Sequence, residues 1–318
     1  MLNTEKNMAA PPASDTMSGK VVLITGGTGG IGRATASALA GKGATTLIVG
    51  RHRETGEAAV TALKASSGNN AIAFFPADLS SQDEIRHLAQ EVLARYPHLH
   101  VLMNNVGNVQ PQRTQTVDGS ELTFALNVLA PFLLTNLLLP ALEASVPARI
   151  INVNSMVYRY GAGLDLDDLQ SSRQAYHPMQ VYSKAKFANL LLTYEFARRL
   201  AGTGVTVNAV DPGFTIKVPE PGHAQSWYMQ LAWPFMKLGG AIMTDQRAAQ
   251  SSIYAASAPA LEGVSGKYIT TAKKPVASAK ASYDEARGRR IWQACAELIG
   301  LEGHNEWQLV PTEREWGC

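Results

Sequence analysis

The segment Thr25-Gly26-Gly27-Thr28-Gly29-Gly30-Ile31-Gly32 constrains this chain more than any other stretch of it. It follows a short β-branched run at residues 21–25 and leads into a helical pattern over residues 33–40. Glycines at 26, 30 and 32 permit a tight turn and let the backbone approach a ligand closely. The helix that follows presents unpaired N–H groups and the positive end of its dipole. Strand, glycine turn and helix in that order form the first unit of a dinucleotide-binding fold. Gly26, Thr28, Gly30, Ile31 and Gly32 are therefore candidate cofactor contacts, joined by Arg33 at the start of the helix.

The alternation continues downstream. Strand patterns fall at residues 45–49, 71–75, 100–103, 149–153 and 205–210, and helical patterns at 54–65, 82–96, 122–142, 181–200 and 245–256. Strands separated by helices are parallel and joined by right-handed crossovers. The expectation is an α/β fold: a single doubly wound parallel sheet (Rossmann fold) with helices on both faces, spanning residues 19–300 as one catalytic domain. The apolar stretch at 122–142 is broken by Asn127, Pro131, Asn136 and Pro140, which favours a buried helix over a bilayer span. Residues 1–18 are small and polar, read as a disordered tail without a secretory leader, and residues 301–318 form a C-terminal tail. With 28 Lys and Arg against 26 Asp and Glu, the net charge of +2 gives no reason to expect nucleic acid. The two cysteines, Cys295 and Cys318, exclude a disulfide framework and suit a reducing, cytoplasmic setting. No Cys/His cluster has metal-ligand spacing, so no metal is expected.

The end of the second strand selects the dinucleotide. A carboxylate there would bind a ribose 2′-hydroxyl, but the sequence reads Gly50-Arg51-His52-Arg53. Arg51 can meet a 2′-phosphate with its planar fork of donors, and Arg33 can help from the other side, which favours NADP(H). Farther along, Tyr182-Ser183-Lys184-Ala185-Lys186 places a tyrosine and a lysine four residues apart, on one face of a helix. A nearby ammonium favours the phenolate, so Tyr182 is expected to have a lowered pKa and to act as general acid or base toward a carbonyl or alcohol oxygen. Ser155 follows the strand at 149–153, at the carboxyl edge where ligands of parallel sheets bind, and can hydrogen-bond the same oxygen.

Thr25–Gly32, Asn104-Asn105-Val106-Gly107, Asn127, Ser155, Tyr182 with Lys186, and Asp211-Pro212-Gly213 fall in the order of the short-chain dehydrogenase/reductases, and the chain resembles that family over roughly residues 19–300. Within it, Leu166-Asp167-Asp168-Leu169, residues 182–191 and Gly263-Val264-Ser265-Gly266-Lys267-Tyr268 are similar to the retinol dehydrogenase branch, which includes the protochlorophyllide reductases. The resemblance implies that Tyr182 carries the proton, Lys186 lowers its pKa and binds the nicotinamide ribose, Ser155 orients the carbonyl, and Asn127 holds a relay water. Asn127 among leucines also needs a hydrogen-bonding reason to be there. By the same resemblance Asp78 and Leu79 contact the adenine, Asn105 and Gly107 line its ribose, and Pro212, Gly213 and Thr215 flank the nicotinamide. Three departures stand out: Val106 replaces an alanine, Asn154 replaces a serine, and Lys217 takes the usual threonine position, two residues beyond Thr215.

Residues 214–240, with Trp227, Tyr228, Met229, Trp233, Phe235 and Met236, read as an apolar lid over the substrate, with contact to a membrane surface the less favoured reading. Tyr176 and His177 lie near the tyrosine helix, where they read as a surface loop in preference to polar contacts with the site. The leading expectation is an NADP(H)-dependent oxidoreductase acting on an apolar ketone, aldehyde or alcohol, as a monomer or homodimer. A cofactor-binding regulatory protein, or an isomerase or dehydratase on the same fold, are the alternatives.

Overall fold

The computed structural model describes residues 16–213 and 243–301. Its centre is an eight-stranded sheet in the order β3-β2-β1-β4-β5-β6-β7-β8. The strands are β1 (Val21–Thr25), β2 (Thr45–Gly50), β3 (Ile72–Pro76), β4 (Val101–Asn104), β5 (Ala148–Val153), β6 (Val205–Val210), β7 (Tyr268–Ile269) and β8 (Pro275–Val276). All pairings are parallel except the last, where β8 runs antiparallel to β7. The fold is thus the expected doubly wound α/β sheet with one reversed edge strand. The two edges, β3 and β8, each carry a proline, Pro76 and Pro275.

The central strands are Val, Ile and Leu runs because both of their faces are covered. In β1, Leu23 joins the core on one face while Val22 and Ile24 join the core on the other. The second face is closed by α1 (Gly30–Gly41), α2 (Arg53–Ser67) and α7 (Gln250–Ser257), through Leu39, Leu63 and Ala255. The first is closed by α3 (Gln82–Arg95), α4 (Leu122–Glu143), α5 (Pro178–Arg199) and α8 (Glu285–Leu298). Trp292 of α8 packs edge-on against Phe132 and Phe196 at centroid distances of 4.8 and 4.6 Å, tying α8 to α4 and α5. Each such ring taken from water contributes about 1.5–3 kcal/mol.

Several elements differ from the sequence expectation. The residues expected as one helix at 245–256 form α6 (Asp245–Ala248) and α7, meeting at Ala249. Helix α5 starts three residues early, because Pro178 at its first turn has no N–H that an intrahelical bond would need. Helix α8 was not anticipated. Met17, placed by the sequence reading in the tail, is 5% exposed, and its amide donates to the Lys42 carbonyl. Helix α4 is long and apolar enough to cross a membrane by length and composition, but Phe132, Leu133, Leu134, Leu138 and Leu142 are buried against the sheet, as expected of a core helix. The expected lid at 214–240 and the residue Thr215 lie outside the described residues.

Candidate active site

The carboxyl ends of β1, β4, β5 and β6 face the same edge of the sheet, and the chain reverses its winding between β1 and β4. That edge is where open parallel sheets bind ligands.

Beyond β1, Gly26 has φ +66° and Gly30 has φ +54°, a left-handed backbone that disfavours other residues. A Cβ at Gly32 would lie 2.3 Å from the Gly26 carbonyl oxygen, so α1 packs against the turn with no room for a side chain. At Gly29 and Gly30 a Cβ would meet nothing within 4 Å, so the backbone is open on that side. Helix α1 has no side-chain cap and no acidic residue in its first turn. Its first N–H groups and its dipole therefore face the open space, the chemistry of a pyrophosphate cradle. Asn105 closes the turn: its Nδ2 donates to the Thr25 carbonyl at 2.9 Å, and its amide donates to Thr25 Oγ1 at 2.9 Å. The Val106 amide shares that hydroxyl at 3.1 Å, so the backbone at the valine is pinned to the same turn.

At the end of β2, a Cβ on Gly50 would lie 2.6 Å from Thr28 Cγ2. Thr28 thus fills the place of a side chain at 50, and no carboxylate stands there. Arg51 and Arg33 are both exposed and unpaired among the described residues. Beyond β3, Asp78 Oδ1 accepts from the Ser80 amide and hydroxyl at 2.9 and 2.8 Å, and Leu79 is buried behind it.

The expected reaction centre assembles beside β5. Tyr182 and Lys186 share a face of α5, with Lys186 Nζ 5.6 Å from the tyrosine ring centroid. Lys186 is 3% exposed, and its Nζ donates to the Val153 carbonyl at 2.9 Å. Burial pushes its ammonium down to about 8. The expected lowering of Tyr182 is not met. Burial pushes the phenol up to about 12; the Ser155 hydroxyl, hydrogen-bonded to it, works in the other direction, and the Asp211 charge raises it further. Loss of hydration outweighs the lysine because the ammonium lies under the ring and is turned to a carbonyl rather than to the hydroxyl.

Asn127 sits in a π-helical segment, Ala125–Leu129, inside α4. Its Nδ2 donates to the carbonyls of Asn108 and Thr123, both at 2.8 Å, and its Oδ1 is buried without a partner. That oxygen and Lys186 Nζ converge beside Gly107, where a Cβ would lie 2.6 Å from the first and 3.1 Å from the second. Gly107 is the position that leaves room between them.

Sequence reasoning missed a ladder of buried amides beneath this cluster. Asn104 Nδ2 donates to Asn152 Oδ1 at 2.8 Å, Asn152 Nδ2 to Thr193 Oγ1 at 2.9 Å, and Thr193 Oγ1 to the Asn189 carbonyl at 2.8 Å. Asn189 Nδ2 then donates to the Asn127 carbonyl at 3.0 Å. Asn154 completes it, donating to the Lys186 carbonyl at 3.0 Å and to Asn189 Oδ1 at 3.1 Å, and accepting from the Ser155 amide at 2.8 Å. The departure at 154 therefore supports both neighbours. The available signal was polar amides inside segments that otherwise read as core. Tyr176 does not join the site: its hydroxyl donates to buried Glu121 at 2.9 Å. His177 is exposed at the start of α5.

A family model described as short chain dehydrogenase matches residues 20–165. The chain is 39% identical over 303 residues to human retinol dehydrogenase 14, covering 90% of this chain and 88% of that protein. It is 37% identical over 298 residues to human retinol dehydrogenase 13, covering 92% and 88%. Among solved structures it resembles an uncharacterised protein from Mycobacterium paratuberculosis (TM-score 0.72, 28% identity, 90% of this chain and 95% of that one). It also resembles an NADP active-site complex of Pseudomonas aeruginosa RhlG (TM-score 0.62, 26% identity, 80% and 96%).

Proposed function

Because this chain belongs to the short-chain dehydrogenase family, in its retinol dehydrogenase-like branch, we propose that it is an NADP(H)-dependent oxidoreductase interconverting an apolar alcohol and its aldehyde or ketone. The observation that carries the reading is the placing of Ser155, Tyr182 and Lys186 on the same sheet edge as the glycine cradle. The names of the relatives point toward a retinoid-like substrate, and the RhlG complex toward NADP.

In this reading Gly26, Thr28, Gly30, Ile31, Gly32 and Arg33 hold the pyrophosphate side of the cofactor. Arg51, with Arg33, meets the 2′-phosphate. Asp78, Leu79, Asn105 and Gly107 take the adenosine, and Pro212 and Gly213 the nicotinamide end. The bound nicotinamide supplies or accepts hydride. Tyr182 gives its hydroxyl proton to the carbonyl oxygen in reduction and takes the hydroxyl proton in oxidation. Ser155 donates a hydrogen bond to the same oxygen and holds it in line. Lys186 binds the ribose, and its charge stabilises the phenolate left after proton transfer. Asn127 Oδ1, beside Lys186 Nζ, accepts a hydrogen bond from a water and holds it in place, and that water hands the replacement proton on through Lys186. The two cysteines, with Cys295 buried, suit a reducing compartment such as the cytoplasm.

The test is absorbance at 340 nm with NADPH or NADH against a panel of retinal, steroid ketones and short aldehydes. Turnover of apolar carbonyls with NADPH is expected. A wild type that consumes neither cofactor with any member of the panel, in either direction, defeats the reading.

A further inference from the structure

Ser155 and Tyr182 have to bring two hydroxyls to one substrate oxygen, yet they stand on different elements. Ser155 opens the short turn Met156–Tyr160, and Tyr182 lies on α5. Whatever spaces those two elements is therefore part of the site. The turn meets α5 at both of its ends. At the first, Asn154 donates to the Lys186 carbonyl at 3.0 Å and accepts from the Ser155 amide at 2.8 Å. At the second, Gly161 lies against the backbone of α5 at Ser183, the residue after Tyr182. A Cβ on Gly161 would stand 2.1 Å from the Ser183 carbonyl oxygen, 2.6 Å from its carbon and 2.7 Å from Phe187 Cβ. No rotation relieves these contacts, because two of the atoms are helix backbone and the third is fixed to it.

The position needs space rather than backbone freedom. Gly161 has φ −93° and ψ 1°, a conformation open to other residues. Two residues on, Gly163 is exposed, and a Cβ there would meet nothing within 4 Å. The turn is also held from its other side. Tyr158 at its centre is fully buried, its ring packs 5.1 Å from that of Tyr268, and its hydroxyl accepts from the Ala279 amide at 3.0 Å. Tyr268 in turn donates to Asp211 Oδ2 at 2.8 Å, which ties it to the end of β6. Helix α5 is the more rigid partner, with an unbroken buried run from Ala185 to Phe196. A methyl group at 161 is thus accommodated by the turn, whose other end carries Ser155.

We propose that Gly161 is a positioning residue: its lack of a side chain seats the Ser155 turn directly on α5 and so sets the separation of the Ser155 and Tyr182 hydroxyls. The proposal rests on the oxidoreductase reading for its kinetic consequence, but not for its geometric one. A methyl group at 161 needs about 1 Å of relief to reach ordinary contact, and a misplacement of that size costs about 100-fold in rate. The glycine cradle, Arg33 and Arg51 lie on other elements, so the cofactor's phosphates keep their partners.

The experiment compares Gly161→Ala with Gly163→Ala in the full chain. With retinal and NADPH, Gly161→Ala is expected to lower kcat about 100-fold, while the NADPH dissociation constant, read by fluorescence, stays within about twofold of wild type. Gly163→Ala is expected to match wild type in both. A cycle with Ser155→Ala separates positioning from general damage: once the serine hydroxyl is gone, adding Gly161→Ala is expected to cost less than about threefold. A full second loss in that background overturns the proposal. A measurement without turnover uses the chain labelled with 13Cζ-tyrosine, the Tyr182 resonance being assigned by its loss in Tyr182→Phe. Ser155→Ala and Gly161→Ala are expected to move that resonance in the same direction, since each withdraws the serine hydroxyl from the phenol, and Gly163→Ala to leave it in place. A resonance unmoved in Gly161→Ala overturns the proposal. So does an alanine variant that no longer folds or no longer binds NADPH, since 161 would then be a packing residue only. An inactive wild type would count against the oxidoreductase reading while leaving the resonance comparison intact.

Discussion

Tyr182→Phe removes one oxygen and keeps the ring, and turnover is expected to fall about 10²–10⁴-fold, the range of a lost general acid, with NADPH affinity little changed in a fluorescence titration. Lys186 carries a cost that the same site makes measurable. Its ammonium sits near 8 rather than the ordinary 10.5, so the folded state gives up its proton more readily than the unfolded chain does. The penalty is therefore fully present below about pH 8 and is relieved as pH rises toward 10.5. At about 1.4 kcal/mol per unit, Lys186→Met is expected to stabilise the chain by about 1–3 kcal/mol at pH 7 in urea unfolding, after allowing for the lost bond to Val153, while turnover disappears. At pH 10.5 that gain is expected to vanish. Arg51→Ala is expected to raise KM for NADPH about 10- to 150-fold and leave KM for NADH unchanged, because only the 2′-phosphate distinguishes them. The residues proposed for these roles can be picked out of the sequence: Tyr182 and Lys186 by a spacing of four, and Arg51 by standing next to Gly50, where a carboxylate would select NAD. Asp211 was noticed only as part of a motif, because its meaning depends on Tyr268, 57 residues away. The raised phenol of Tyr182 was misjudged for a related reason: spacing places a lysine near a tyrosine but says nothing of how far both are withdrawn from water.

Elements were legible to the extent that their own residues decide them. The bounds of β1 and β6 agree with their β-branched runs. The π segment within α4 was not legible, since it depends on Asn127 reaching the Asn108 and Thr123 carbonyls and on Asn189 taking the carbonyl of Asn127 from a separate helix. Nothing in a run of leucines announces that one turn is wider than the rest. The glycine turn is the opposite case, where each glycine can be assigned a reason. Gly32→Ala would drive a methyl group to 2.3 Å from the Gly26 carbonyl, a backbone atom that cannot rotate aside. The variant is expected to lose NADPH binding beyond detection in a titration and to unfold several degrees earlier in a thermal scan. An alanine at Gly29, where the same construction meets nothing within 4 Å, is expected to leave thermal stability close to wild type and so serves as the control.

Across the whole molecule, the doubly wound parallel sheet could be inferred from alternation, whereas the edge strands β7 and β8 and the closing layer could not. Helix α8 mixes charged and small residues, and its buried residues, Gly288, Ile291 and Cys295, are too few to announce a core helix. Its anchor is Trp292, wedged between Phe132 and Phe196 and capped by the Arg199 guanidinium at 4.1 Å from the ring. Trp292→Ala is expected to cost about 3–5 kcal/mol by chemical denaturation, and to expose Cys295, whose thiol burial pushes well above its ordinary range, to alkylating reagents at pH 8. Wild-type Cys295 is expected to react only after unfolding. The two border strands have a consequence of another kind. A strand at the rim of a sheet is an open invitation to a neighbouring molecule, because its outward amides are unspent. Here one rim ends in Pro76, and the other is only two residues long and begins with Pro275. Proline has no amide hydrogen to offer and interrupts the row that a visiting strand would need. Each rim of the eight-stranded sheet therefore carries a break in the row of amides that edge-to-edge growth into a fibre would use.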